Sequence, residues 1–348
     1  MSVVQNTPDY AIRMRNVTKI FGDAPEHALA MLQDGKSKAD LLAETNHVVG
    51  LDNVSLDIER GQIFVVMGLS GSGKSTLVRH VNRLIDPTGG EIEVGGVDVL
   101  KMNMDELREF RRSKVTMVFQ KFGLLPHRSV IDNVAYGLET RGVAKPARLD
   151  AAAKWIETVG LAGYEQSLPR QLSGGQQQRV GLARALAMDT DIILMDEAFS
   201  ALDPLIRSGM QDQLIGLQQQ LGKTILFITH DFDEALKIGN RIAVLRDGAV
   251  QQVGRPEDIV LRPANAHIEE FVRDVNKARA IRVRSIMETG PAEACEQAVP
   301  MDARCEDVLP LFAEHQWVGV LNGEGVQIGR VTARQIIKAL ARYAPQAA

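Results

Sequence analysis

A complete phosphate-binding loop occupies residues 68–76 and reads Gly68-Leu69-Ser70-Gly71-Ser72-Gly73-Lys74-Ser75-Thr76. It follows the apolar run Ile63 to Met67, which predicts a buried strand, and it leads into residues that favour a helix. The glycines let successive backbone N–H groups point at a triphosphate. Lys74 can reach the β- and γ-phosphates, and the Ser75 hydroxyl is placed to bind Mg²⁺. The sequence therefore predicts a site for a nucleoside triphosphate.

Further motifs narrow the class of nucleotide-binding protein, because a phosphate loop alone is shared by kinases, GTPases, helicases and transporter motors. The run Leu172 to Gln176 reads Leu-Ser-Gly-Gly-Gln and precedes a helical segment. The apolar run Ile192 to Met195 ends in two adjacent carboxylates, Asp196 and Glu197. Three short motifs complete the set: Val118-Phe119-Gln120, Ser200-Ala201-Leu202-Asp203 and Ile228-Thr229-His230.

This set of motifs, in this order, resembles that of the ATP-binding-cassette (ABC) ATPases. In that family Leu172 to Gln176 would be the signature, Asp196 and Glu197 the end of the Walker B strand, and Gln120 the Q-loop glutamine. Asp203 would belong to the D-loop, and His230 would be the switch histidine. The resemblance implies an α/β P-loop NTPase fold with a RecA-like core, a helical subdomain and an antiparallel β part.

ATP hydrolysis needs charge neutralisation on the phosphates, a held Mg²⁺ and an oriented water molecule. Lys74 is predicted to neutralise charge, and Glu197, beside a metal-binding Asp196 at a strand end, to act as general base. His230 is predicted to contact the γ-phosphate and stabilise developing charge. The predicted cofactors are ATP and Mg²⁺. The predicted metal ligands are Ser75, Gln120 and Asp196, and the predicted catalytic residues are Glu197, His230 and Gln120.

An aromatic residue upstream completes the predicted ATP site. Phe21 lies in the run Val17 to Gly22, where the family's adenine-stacking aromatic is usually found. Stacking on adenine is the preferred interpretation, and burial in an ordinary core is the alternative. The residues predicted to bind ATP are Phe21, Gly68, Ser70, Gly71, Ser72, Gly73, Lys74, Ser75 and Thr76.

The signature raises a question of geometry, because it follows Lys74 by about a hundred residues and resembles residues that contact nucleotide from a partner cassette. A small serine, close-packed glycine backbone and a helix N-terminus suit a γ-phosphate. The chain holds one phosphate loop and one signature. A homodimer of cassettes is therefore predicted, with four residues acting in trans: Ser173, Gly174, Gly175 and Gln176.

The composition of the chain limits the kinds of partner and the cellular compartment that we expect for it. The 348 residues carry 40 basic and 44 acidic side chains, so the balance gives no sign of a polyanionic partner, and no nucleic acid is expected. No apolar stretch approaches 18 residues, and the N-terminus lacks a signal pattern. The two cysteines, Cys295 and Cys305, lack metal-site spacing and suit a reducing cytoplasm.

An insertion indicates the subfamily. Residues 11–21 and 51–58 predict strands, and residues 23–47 between them have helical spacing. This insertion, Leu69 in the phosphate loop and Ala198-Phe199 after Walker B resemble the uptake cassettes for glycine betaine, proline betaine and choline. The likeness covers residues 11–275. It implies two transmembrane permease subunits, a substrate-binding protein and a peripheral position at the cytoplasmic face of the inner membrane.

The chain is predicted to contain two domains, a cassette over residues 1–275 and a smaller α+β domain over residues 276–348. The order strand Trp317 to Leu321, turn, strand Val326 to Val331 and helix Arg334 to Leu340 resembles one cystathionine-β-synthase (CBS) repeat. Adenosine-binding copies carry an acidic residue three positions after a Ser or Thr, but Gln335 follows Thr332 there. Regulation and dimerisation both remain open as roles for this domain.

The predicted function is the ATP-hydrolysing subunit of an importer for a quaternary ammonium solute. Two alternatives remain: an importer ATPase for another small solute such as an amino acid, and a soluble ABC ATPase that acts outside transport.

Overall fold

The computed structural model describes residues 9–120, 123–200, 202–273, 275–290 and 296–341. These residues form two compact units. The first unit runs to His230 and includes Ala243–Gln251, and the second comprises Asp231–Ile242 and the chain from Gln252 onwards. The boundary predicted between residues 275 and 276 stays a prediction.

Among the described residues, no helix has the length and apolar character needed to span a bilayer.

Fourteen strands are assigned in the described residues. In chain order they are β1 (Tyr10–Phe21), β2 (Val48–Glu59), β3 (Ile63–Met67), β4 (Gly89–Val94), β5 (Val97–Asp98), β6 (Val115–Val118), β7 (Ile192–Asp196), β8 (Thr224–Thr229), β9 (Arg241–Arg246), β10 (Ala249–Gly254), β11 (Glu288–Thr289), β12 (Ala298–Pro300), β13 (Trp317–Leu321) and β14 (Gln327–Thr332). They form three sheets of four, six and four strands, with orders β2-β1-β4-β5, β10-β9-β3-β8-β7-β6 and β11-β14-β13-β12.

Fourteen α-helices are likewise assigned in the same described ranges. They are α1 (Pro25–Gln33), α2 (Lys38–Thr45), α3 (Lys74–Val81), α4 (Met104–Ser113), α5 (Val130–Thr140), α6 (Lys145–Thr158), α7 (Gly174–Ala187), α8 (Pro204–Leu221), α9 (Phe232–Ile238), α10 (Pro256–Leu261), α11 (Ala266–Val272), α12 (Lys277–Ala280), α13 (Cys305–Val308) and α14 (Ala333–Ala341).

The centre of the six-stranded sheet is parallel. Strands β3, β7 and β8 are buried along their whole length and mostly apolar, as expected for strands covered on both faces. Met67 pairs with Thr229, and Asp196 pairs with Ile228. Because parallel strands end at the same edge of a sheet, this register brings together three predicted segments: the phosphate loop, the carboxylate pair and His230.

The predicted insertion lies between β1 and β2 of the antiparallel sheet β2-β1-β4-β5. Strands β1 and β2 were predicted at residues 11–21 and 51–58, and β2 begins three residues earlier than expected. Between them lie α1 and α2, so the helical character predicted for residues 23–47 is confirmed. Leu41 of α2 is fully buried in a small apolar cluster with Ile20 and Ala28.

The second unit contains the C-terminal sheet. Strand β12 pairs parallel with β13, and β13 pairs antiparallel with β14, which confirms the predicted order of strand, turn, strand and helix. Its core includes Cys305, whose burial raises the thiol pKa to about 12. Cys295 lies outside the described residues. The likeness to a CBS repeat stays a prediction.

Candidate functional site: a nucleotide cleft at the end of the parallel strands

The phosphate loop connects β3 to α3 through glycines that have left-handed backbone conformations. A side chain at Gly68, whose φ is +157°, would come 2.2 Å from the carbonyl oxygen of Leu245. A side chain at Gly73, whose φ is +98°, would come 2.5 Å from the carbonyl oxygen of Gly50. Neither position has room for a Cβ, so the glycines fix the path of the loop against its neighbours.

Lys74, the first residue of α3, extends its side chain inside the loop. Its Nζ donates hydrogen bonds of 2.9 Å to the carbonyl oxygens of Gly68 and Leu69, and only 5% of the side chain is exposed. Burial lowers the pKa of Lys74 from its ordinary value, whereas the carboxylates of Glu197 and Asp196 oppose that shift. The ammonium group is therefore held where a phosphate chain would cross the loop.

Asp196 ends strand β7 beside the start of α3. Its Oδ1 accepts a 2.8 Å hydrogen bond from Ser75 Oγ, and its Oδ2 lies 3.4 Å from Arg79 Nη2. A hydroxyl and a carboxylate in contact are oxygen donors of the kind that Mg²⁺ prefers, with nucleotide phosphates and water as the other ligands. Among the residues that the structure describes, no cluster of three or more His, Cys, Asp or Glu could hold a metal. The contact between the Ser75 hydroxyl and the Asp196 carboxylate fits a Mg²⁺ that also binds nucleotide phosphates.

Glu197, the residue after Asp196, has a left-handed backbone conformation with a φ of +46°. This conformation is uncommon outside glycine and is held here by a 3.1 Å hydrogen bond from its N–H to the Ile228 carbonyl. Its carboxylate accepts a 3.0 Å hydrogen bond from Gln120 Nε2 and lies 3.4 Å from His230 Nδ1. Lys74 Nζ is 3.9 Å away. The structure therefore gathers the predicted catalytic residues around one carboxylate.

Lys74, Gln120 and Glu197 line a cleft of about 430 Å³, whereas Asp196 and His230 are not among its lining residues. Phe21, at the end of β1, also lines this cleft and is 40% exposed, unlike the large apolar side chains of the core. The other lining residues are Val48, Val49, Gly50, Ser70, Gly71, Gly73, Ser75 and Thr76. The motifs did not predict the lining by Val48, Val49 and Gly50 or the contact of Arg79 with Asp196. The sequence did contain one indication for Gly50, because an isolated glycine at the edge of a strand suggests a bulge or the close approach of another group.

The signature lies at a helix N-terminus. Ser173 caps α7, because its Oγ accepts from the Gln176 N–H at 3.3 Å while Gln176 Oε1 accepts from the Ser173 N–H at 2.9 Å. Gly175 packs against Ile206, and a Cβ at Gly175 would come 2.7 Å from that side chain. No signature residue, Gly174 included, lines the cleft within the described part of the chain.

The D-loop motif leads into α8. Asp203 caps this helix by accepting a 3.1 Å hydrogen bond from the Ile206 N–H. Ala201 of the same motif lies outside the described residues. Asp203 is exposed and does not line the cleft formed by the phosphate loop.

The comparison with known proteins agrees with this geometry. Residues 51–200 match the family described as ABC transporter. The glycine betaine transport ATP-binding protein OpuAA of Bacillus subtilis is 53% identical over 276 residues, which are 79% of this chain and 66% of that protein. The trimethylamine N-oxide transport system ATP-binding protein TmoW of Ruegeria pomeroyi is 48% identical over 326 residues, 90% of this chain and 95% of that protein.

The chain belongs to the ABC transporter ATPase family. A solved structure of the ATP-binding cassette MJ0796, a dimer in a post-hydrolysis state with ADP and Pi, is 33% identical and covers 70% of this chain and 97% of its own. Its TM-score is 0.59. The predicted fold class of an ABC cassette and the predicted ATPase activity are thereby confirmed, and ATP is the nucleotide of the family. The roles of the individual site residues stay predictions.

Proposed function

We propose that this ABC ATPase drives the import of a compact solute that carries a trimethylammonium or trimethylamine oxide group. The observation that carries the proposal is the identity of about 50% to ATP-binding proteins for glycine betaine and trimethylamine N-oxide transport. Both solutes present three methyl groups on nitrogen and a nearby anionic oxygen. Choline carries the same trimethylammonium group and belongs to this class. Proline betaine, whose ring nitrogen carries two methyl groups, is a related quaternary ammonium candidate outside it.

Hydrolysis would proceed within the cleft. Lys74 binds the β- and γ-phosphates after releasing its loop carbonyls, and Ser75, Asp196 and Gln120 would hold Mg²⁺, which neutralises phosphate charge when bound. Glu197 accepts the proton of the attacking water, and His230 stabilises charge on the γ-phosphate. The contacts of Gln120 and His230 with the Glu197 carboxylate support this division of roles.

The complete site would require two chains. We place Ser173, Gly174, Gly175 and Gln176 of one protomer against the γ-phosphate bound by its partner, with Asp203 near the contact. The exposed position of Ser173 and the dimeric nucleotide-bound state of MJ0796 support this arrangement. Two permease subunits and a substrate-binding protein would complete the transporter, with the cassettes at the cytoplasmic face of the inner membrane.

The C-terminal residues 276–348 would form a regulatory or dimerising domain of CBS type. The order of β12, α13, β13, β14 and α14 supports this proposal. Gln335 Oε1 accepts hydrogen bonds from both the N–H and the Oγ1 of Thr332, at 2.7 and 3.0 Å. In adenosine-binding copies a carboxylate at this position binds the ribose. Here the corresponding oxygen, Gln335 Oε1, already accepts hydrogen bonds from Thr332.

Uptake of labelled glycine betaine, trimethylamine N-oxide and choline tests the proposal. Cells would carry the cognate permease and binding subunits with the wild-type chain, with Glu197→Gln, or with Glu157→Gln as an exposed control. We expect uptake of one or more of these solutes with the wild type and the control, and none with Glu197→Gln. Normal ATP hydrolysis by the wild type without uptake of any of the three would overturn the assigned solute class and leave the motor in place.

A further inference from the structure

Strand β2 departs from regular pairing at the edge of the nucleotide cleft. Lys19 pairs with Leu51, but the next residue, Ile20, pairs with Val49. Gly50 is therefore the extra residue of a β-bulge. A bulge changes the direction of nearby side chains, and a glycine inside a strand often marks the close approach of another group.

Two different parts of the site approach Gly50. A Cβ at this position would lie 2.6 Å from Cε2 of the Phe21 ring. The Gly50 carbonyl oxygen lies against the phosphate loop, 2.5 Å from where a Cβ of Gly73 would stand, and against Gly248, where the same distance is 2.8 Å. One residue thus contacts both the aromatic end and the phosphate end of the cleft.

The surroundings of the ring restrict it further. Lys19 Nζ lies 5.3 Å from the centre of the Phe21 ring and donates a 2.9 Å hydrogen bond to the Asp86 carbonyl, so the cation is itself fixed. The chain then turns at Gly22, where a Cβ would come 2.4 Å from the His47 ring. With Gly50 behind it, Phe21 has a defined position, is 40% exposed and lines the cleft.

We propose that Gly50 is a positioning residue for nucleotide binding. By leaving space behind the Phe21 ring while its carbonyl contacts the phosphate loop, it fixes the distance between the base-stacking surface and the triphosphate-binding surface. Gly50 accordingly controls affinity for a nucleoside triphosphate and has no effect on a triphosphate that lacks a base. The inference rests on the proposed ATP site and on base stacking by Phe21.

The test compares Gly50→Ala with the wild type in the full chain. Its Cβ would meet the outer edge of a side-chain ring rather than backbone, so the ring can turn away and the chain can fold. Gly216→Ala is the matched control, because a Cβ in that helix meets open space. Binding of AMP-PNP with Mg²⁺ and of inorganic tripolyphosphate is measured by calorimetry, alone and in a Phe21→Ala background.

We expect Gly50→Ala to weaken AMP-PNP binding about tenfold, the scale of one base–aromatic stack, and to leave tripolyphosphate binding unchanged. In the Phe21→Ala background the same substitution should cause no further loss, because the ring it displaces is absent. Equal weakening of both ligands, or a full additional loss without Phe21, would overturn the positioning role. Failure of the wild type to bind AMP-PNP would instead overturn the ATP site, and this inference with it.

Discussion

Glu197 has the most unusual backbone among the residues predicted for catalysis. Glu197 has a φ of +46° and comes directly after Asp196, the last residue of β7. This change of backbone direction gives the two adjacent carboxylates different environments. Asp196 is buried and bonded to Ser75, whereas Glu197 meets Gln120 and His230. A backbone in this region persists where neighbouring contacts hold it, and such positions are frequent in active sites. The conformation separates Asp196, the carboxylate proposed to bind metal, from Glu197, the carboxylate proposed to accept a proton.

Glu197→Gln should keep nucleotide binding and lose hydrolysis. The amide has the shape of the carboxylate but cannot accept a proton from water, and general-base catalysis commonly contributes about 10²–10⁴-fold. We expect turnover to fall by at least about 100-fold with AMP-PNP affinity within about twofold of wild type, as read from phosphate release and calorimetry. Glu157→Gln, exposed on α6, should match the wild type. Near-normal phosphate release by Glu197→Gln would remove this residue as the base.

The sequence predicted the polar side chains that meet around Asp196 and Glu197 better than the residues that support them. Lys74, Asp196 and Glu197 are recognisable because phosphate and metal chemistry demand those residue types at fixed spacing. Gly50 and Arg79 were not predicted, since their contacts depend on long-range pairing: a bulge between β1 and β2, and the approach of α3 to β7. A local pattern carries no information about which backbone will lie opposite a glycine.

At the scale of elements, apolar runs with sharp boundaries were predicted most accurately. Strands β3 and β13 have the predicted limits, because each run is bounded by glycine or polar residues. Strand β2 begins before its prediction, because the bulge at Gly50 interrupts the alternation of buried and exposed residues. The insertion was predicted as helical, and its packing on Ile20 became visible only in the structure.

The α1–α2 insertion should depend on Leu41. This side chain is fully buried among Ile20 and Ala28, and Leu→Ala changes in such sites cost about 2–5 kcal/mol. We expect Leu41→Ala to lower the opening free energy of α1 and α2 by about 2 kcal/mol, measured by hydrogen exchange. Leu42→Ala is the control, because Leu42 is 47% exposed and its loss should change that free energy by less than about 0.5 kcal/mol. Equal effects of the two substitutions would contradict the assigned packing.

At the scale of the whole molecule, the most important observation is that the signature residues do not line the nucleotide cleft. Ser173 is exposed at the N-terminus of α7, and the described lining of the cleft comes from the phosphate loop, β1, β2, Gln120 and Glu197. A helix N-terminus and a serine hydroxyl suit an anion, yet neither Ser173 nor any residue of α7 is among the described residues that line the cleft with Lys74. This separation is the physical reason to expect that a second protomer supplies the signature.

Mixed dimers can distinguish a site shared between protomers from one within a single chain. Lys74→Ala removes the cation of the phosphate loop, and Ser173→Asp places a negative charge where the γ-phosphate would bind. Aspartate is also a good N-cap, so the second change should preserve α7. Both chains would carry Glu197→Gln to prevent turnover, and differently tagged chains allow the mixed dimer to be purified.

In a shared arrangement, the mixed dimer joins the intact phosphate loop of the Ser173→Asp chain to the intact signature of the Lys74→Ala chain. We therefore expect about one tightly bound ATP per mixed dimer, measured by equilibrium dialysis, and loss of tight binding in either homodimer. The second site of the mixed dimer carries both defects and should stay empty. If the signature acted within its own chain, both protomers would be defective and the mixed dimer would bind no better than the homodimers. Tight binding by the Ser173→Asp homodimer would show that Ser173 does not contact the nucleotide.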